Sequence, residues 1–363
     1  MNNKKLVLET GEVFEGVGFG ADTEKVAELV YNTAVVGYQE ALSDPSNLEY
    51  IMVMGYPVIG SYGLTDEDYE SENLTISGLV VREYSKYPSN FRYTHELSER
   101  MDETNVPGIM GVDTREIVRI IKEKGSMRAM IANIDTDTKE CLKKIKEFSL
   151  PKDVVARIST KKVWYSRTLN YKYTVACIDL GLKKSLIKML KDLSCNVVVL
   201  PYNSSIETIM KYKPDGLFIS DGPSSPYDIE NVIETINTLK GKMPILGVGL
   251  GQEIIELAYG AKLYKQKVGH NGCNIPVRNL ANNKIEITSQ NDQYAVDIES
   301  LKKTDLKPTH QNVIDGIIAG VADLDNKVIA VQYNPAPTGD DDYVFDRFVK
   351  LMGGKKNAKA YGY

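Results

Sequence analysis

The second half of the chain alternates near-continuous apolar runs with amphipathic helical patterns, and this alternation restricts the fold more than any other feature. "YTVACIDLG" precedes "LKKSLIKMLKDLS", "CNVVVLPYN" precedes "SSIETIMKYK", "GLFISDGP" precedes "DIENVIETINTLKG", and "PILGVG" precedes "QEIIELAYG". Strands apolar on both faces must be covered on both, so the pattern predicts a mostly parallel, helix-covered sheet. Sites in such sheets lie beyond the carboxyl ends of the strands. Three loops fall there: residues 179–184, 220–226 and 247–252.

The first part differs in texture. Short strands ("KKLVLETGEVFEGVGFG", "AELVYNTAVVG", "YIMVMGYPVIG", "LTISGLVVREYS") come first, then helical patterns in "THELSERMDE" and "DTREIVRIIKEKG". In the second helix Asp113 or Thr114 caps the start, Ile117, Ile120 and Ile121 share a face, and Gly125 stops it. A further short helix is expected over residues 138–148. Clustered strands followed by helices predict an α+β domain. The expected organisation is an N-terminal α+β domain over residues 1–150, a polar connection over 151–171, an α/β domain over 172–353 and a tail over 354–363.

Composition closes off several functions. The formal charge of −5 lacks the basic excess of a dedicated nucleic-acid binder. Cys141, Cys177, Cys195 and Cys273 are scattered without a CxxC pair, which fits a reducing compartment and no disulfide framework. With only His95, His270 and His310 beside them, no metal site and no cofactor are expected. No apolar run is long enough for a leader or a membrane span, so a cytoplasmic location is expected.

The stretch "PILGVGLGQE" joins a strand to a helix through glycines. A dinucleotide fingerprint needs a small residue where Gln252 stands and an acid closing the next strand, where "KLYKQKVGHNG" supplies lysines. A nucleophile elbow fits better: an abrupt strand-to-helix turn has positive φ at its apex, and backbone N–H groups point at whatever sits there. The apex residue is Gly249, which has no side chain to react.

With these motifs in view, the chain resembles the small, glutamine-hydrolysing subunit of carbamoyl-phosphate synthase almost end to end. The first domain carries "GYQEALSDPS", "GYPVIGSYG", "GLVVREYSKYPSNFR" and "PGIMGVDTREIVRIIKEKGSMRA"; the second carries "IDLGLKKSL", "PDGLFISDGPSSP", "PILGVGLGQE", "VGHNGCNIPV", "ITSQNDQYAVD", "THQNVIDGI" and "AVQYNPAPTGDDD". The resemblance implies a first domain that packs on a synthetase large subunit and a second with the class I glutamine amidotransferase fold.

It also implies where chemistry belongs. The family needs a thiolate because the glutamine amide is a poor electrophile, a histidine to activate it, and a carboxylate to orient the histidine. The family cysteine position is Gly249, the histidine position Asn334 and the glutamate position Ala336, so no catalytic residue is intact. The family's glutamine-site positions fall on Ser46, Gly222, Ser224, Leu250, Glu253, Asn291, Gln293 and Tyr294. Ser46, Gly222, Leu250 and Asn291 match the family; Ser224, Glu253 and Gln293 depart from it, and Gln252 and Asp292 are further departures beside them. Cys273 and His270 share the loop "GHNGCN", but neither lies on the elbow, and His310 reads as a structural hydrogen-bonding residue.

Two functions remain open from sequence. One is a non-catalytic small subunit that binds a carbamoyl-phosphate synthase large subunit working on free ammonia. The other is a repurposed regulatory protein holding a small amino acid or carboxylate in the residual pocket. A third, less favoured, is an amidotransferase that still hydrolyses glutamine with other residues. Gly249 is expected at positive φ, with the Leu250 N–H facing an unoccupied pocket.

Overall fold

The structure, a computed structural model, describes residues 3–223, 225–335 and 344–353. These divide into two compact units: residues up to Pro151 together with Lys267–Gly272, and residues from Lys152 to Gln266 together with those from Cys273 onward.

The first unit is built on a closed barrel. Its strands run in the order Asn3–Leu8, Val13–Gly20, Pro107–Met110, Gly78–Val81, Tyr50–Met54, Lys25–Asn32 and Met127–Asn133, the last pairing back to the first. Closure leaves no free edge on these strands. The helix Thr114–Lys124 starts where the Asp113 side chain accepts the Glu116 N–H at 3.1 Å. It buries Ile117, Ile120 and Ile121 against the barrel residues Leu6, Ile51 and Ile131. It ends at Gly125, whose N–H reaches the Ile121 carbonyl at 2.8 Å. A second expected helix spans Thr138–Glu147.

The second unit is a ten-stranded sheet. Its centre is parallel, in the spatial order Cys195–Pro201, Tyr173–Asp179, Gly216–Ile219, Ile245–Val248, Val328–Val331. Val175, Phe218 and Leu246 pack on one side, and Ala176, Leu217 and Ile245 on the other. This two-sided burial explains the unbroken apolar runs. Residues 151–171, which read as a bare connection, carry the helix Val154–Ile158 and the edge strand Trp164–Ser166. Both elements are too short to leave a period in the sequence.

Candidate functional site

The elbow forms where the Ile245–Val248 strand stops and the Leu250–Ala258 helix begins at once. Gly249 bridges them at φ 56° and ψ −119°, a conformation that strains any residue with a Cβ. Gly251 is required for a different reason: a Cβ there would collide with the Ile219 carbonyl of the adjacent strand. The helix therefore starts flush against the sheet, and its first amide, Leu250 N–H, points at the loop of residues 220–223.

That space is occupied, which corrects the expectation of an open pocket. The Asp221 carboxylate fills it. Its Oδ1 accepts the Leu250 N–H at 3.1 Å and the Gly222 N–H at 2.8 Å, and its Oδ2 lies 2.8 Å from Lys183 Nζ. Both side chains are almost fully buried. A Cβ built on Gly249 would run into the Asp221 carboxylate, so a cysteine side chain and this aspartate compete for the same volume. Leu250 and Gly222, expected to contact substrate, thus spend their amides on an internal anion. Gly222 is also pinned, because a Cβ there would strike the Leu180 carbonyl.

Asp221 and Lys183 are the residues of this elbow that sequence reasoning missed. Both stand inside quoted motifs, "ISDGPSSP" and "IDLGLKKSL", but their pairing is visible only once two neighbouring strand ends are brought together.

Behind the elbow lies a second group of acids. Glu253 is buried and accepts the Gln332 amide at 2.8 Å. Burial, and then the Asp292 carboxylate, push the Glu253 carboxyl well above its ordinary range, against the Gln332 hydrogen bond. Asp292 accepts the Gln266 amide at 2.6 Å. One turn further along the helix, burial raises Glu256 to about 8, opposed by a 3.0 Å hydrogen bond from the Gln252 amide. An acid buried without a cation keeps its proton near neutral pH.

The remaining expected positions scatter. Asn334 is held by its backbone, whose N–H donates to the Ser289 carbonyl at 2.8 Å. Gln293 is buried, and neither end of its amide finds a hydrogen-bond partner among the described residues. Asn291 is half-buried on the same strand, Ile285–Val296. Tyr294 sets its ring edge against Tyr227 at 6.5 Å. Ser46, in the first unit, gives its hydroxyl to Asp44 at 2.6 Å. Ala336 and Ser224 lie outside the described residues. Cys273 is exposed, and His310 is buried beside the Thr309 hydroxyl at 2.9 Å and edge-on to Tyr333. Among the described residues no three His, Cys, Asp or Glu side chains are placed to hold a metal, and no helix is long and apolar enough to cross a membrane.

Known proteins bear on this geometry. The family described as carbamoyl-phosphate synthase small chain, CPSase domain, matches residues 6–131, and glutamine amidotransferase class-I matches residues 176–351. A carbamoyl phosphate synthase small chain of Fusobacterium nucleatum is 40% identical over 96% of this chain and 98% of its own length. A carbamoyl phosphate synthase pyrimidine-specific small chain of Halalkalibacterium halodurans is 40% identical over 98% of each. Among solved structures, a glutamine amidotransferase from Thermotoga maritima gives a TM-score of 0.35 at 15% identity, covering 46% of this chain and 76% of that one, an overlap too loose to carry an argument. Relatives of such identity, aligned over nearly the whole chain, place it in the carbamoyl phosphate synthase small chain family, with a class I glutamine amidotransferase domain as its second half.

Proposed function

We propose that this chain is a small subunit that has given up glutamine hydrolysis and serves a synthetase large subunit that draws on free ammonia. The observation that carries this reading is the Asp221 carboxylate, which takes the Leu250 amide of the elbow and the Gly222 amide of its own loop in the space beside Gly249. Glutamine hydrolysis passes through a tetrahedral oxyanion, which needs a nucleophile on one side and N–H donors on the other. Here the nucleophile's position has no side chain. The donors already hold a negative charge, which would repel a second one at the same place. Asn334, at the family's base position, cannot accept a proton at neutral pH, so the histidine's role is left unfilled. In a hydrolase stripped of its triad, turnover falls about a millionfold, and in this chain the donors are blocked as well.

The test is reconstitution with the large subunit of the same organism. The expected result is a complex at micromolar concentration, carbamoyl phosphate formed from ammonium, and no glutamate released from glutamine. Glutamine-dependent synthesis at a rate comparable to the ammonia-dependent rate would overturn the reading. Gly249→Cys alone is expected to restore nothing, because the new side chain meets Asp221.

A second reading rests on Gln293, a buried amide with both ends unmatched among the described residues. Such a group favours a polar ligand, and a regulatory subunit could hold a small amino acid or carboxylate there. Thermal stabilisation by such a ligand, in a chain that binds no large subunit, would favour this reading over the first.

A further inference from the structure

The sheet of the second unit carries a cavity of about 530 Å³ at the end opposite the elbow. Thr174 and Asn196 are register partners at the amino ends of neighbouring parallel strands, and Val198 pairs across to Tyr165 of the edge strand. All four line the cavity. Gly249, by contrast, follows the carboxyl end of its strand.

The lining is aromatic and cationic. The Tyr212 ring stands edge-on to Tyr165 at 5.8 Å, and the Arg167 guanidinium lies 5.7 Å from the Tyr165 ring centre. Tyr165 is 50% exposed and Tyr171 55%, so both side chains can be reached from solvent. Among the described residues Arg167 makes no ion pair, and its guanidinium lies over the Tyr165 ring. Asn196 spends its carbonyl on the Thr168 N–H at 2.7 Å, which leaves its amide hydrogens as donors.

Aromatic faces take planar rings, and a guanidinium without a carboxylate partner takes an anion in two parallel hydrogen bonds. The volume falls within the range of about 300–1,000 Å³ common to small-molecule sites. We propose that this cavity binds a planar aromatic anion, with the ring against Tyr165 and Tyr212 and the anionic group on Arg167. Nucleoside phosphates and aryl carboxylates share that chemistry.

The chain's single tryptophan, Trp164, adjoins Tyr165 and provides a fluorescence readout. The purified full chain is titrated with adenosine 5′-monophosphate and, separately, with 4-hydroxybenzoate; adenosine and inorganic phosphate are the controls. At least one aromatic anion is expected to saturate, and adenosine and phosphate to bind at least about tenfold more weakly than that anion. Arg167→Gln and Tyr212→Leu are each expected to weaken binding by at least about tenfold with circular dichroism unchanged, and Arg167→Lys to weaken it less. Which of the two anions saturates identifies the source. The proposal is overturned if neither saturates below roughly 10 mM, if phosphate alone binds as well as the nucleotide, or if folded Arg167→Gln and Tyr212→Leu chains bind like the parent.

Discussion

Asp221 and Glu253 stand on either side of one helix start, both buried, and the protein treats their charges in opposite ways. Asp221 has a lysine at 2.8 Å and two backbone amides, a full set of partners for an ionised carboxylate. Glu253 has one amide, from Gln332, and its burial, and then the facing Asp292, hold its proton on instead. A buried charge must be paired or neutralised, and this elbow uses both solutions within a few residues. The difference separates two kinds of sensitivity: the paired side of the elbow should respond to loss of a partner, and the neutralised side to pH.

The largest effect is expected from breaking the pair. Asp221→Ala leaves Lys183 buried without its counter-ion, at a cost of about 3–5 kcal/mol. In a unit of this size that lowers the melting temperature by on the order of 10 °C. The double variant Asp221→Leu/Lys183→Met removes both charges and should recover most of the loss. A double variant no more stable than Asp221→Ala would show that the two residues are not coupled through their charges.

The neutralised side is probed by Glu256→Gln. With the folded-state value near 8 against an ordinary 4.5, the wild-type contribution is fully present below about pH 4.5 and is lost as pH rises through 8. Glutamine carries no such penalty. The variant should match the parent near pH 4.5 and gain about 3 kcal/mol by pH 7. Melting temperatures measured across that range check it, and a pH-independent difference would break the contrast with Asp221.

How much of this was legible in the sequence follows the range of the interactions. The Thr114–Lys124 helix, its Asp113 cap and its buried isoleucines could be read because all their determinants lie within a few turns. The positive φ of Gly249 could be read because a strand and a helix meet there without a loop. The closed barrel could not, since Val13–Gly20 pairs with Pro107–Met110 and nothing local announces that partner. The occupied elbow was hidden for the same reason: a lysine after one strand and an aspartate after another carry no mark that they meet.

Outside the paired elbow, the Asp113 cap of the Thr114–Lys124 helix provides a smaller yardstick. Asp113→Ala removes the 3.1 Å hydrogen bond to the Glu116 N–H and is expected to cost about 1 kcal/mol in the first unit. It should leave the pH response of Glu256 unchanged. If the Asp113 and Asp221 substitutions cost equal amounts, burial would not be what makes the elbow pair costly to break.

The smallest expected effect tests the elbow from outside. Cys273 is exposed, while Cys141, Cys177 and Cys195 are buried, and burial pushes all three buried thiols up. A thiol reagent should therefore titrate one group rapidly in the folded chain and none in Cys273→Ser. That substitution should change neither the melting temperature nor the background release of glutamate from glutamine. If the parent did release glutamate and Cys273→Ser abolished it, the nucleophile would lie away from Gly249. The Asp221 carboxylate on the Leu250 amide would then be no bar to hydrolysis, and the reading of the elbow as closed to glutamine would have to be abandoned.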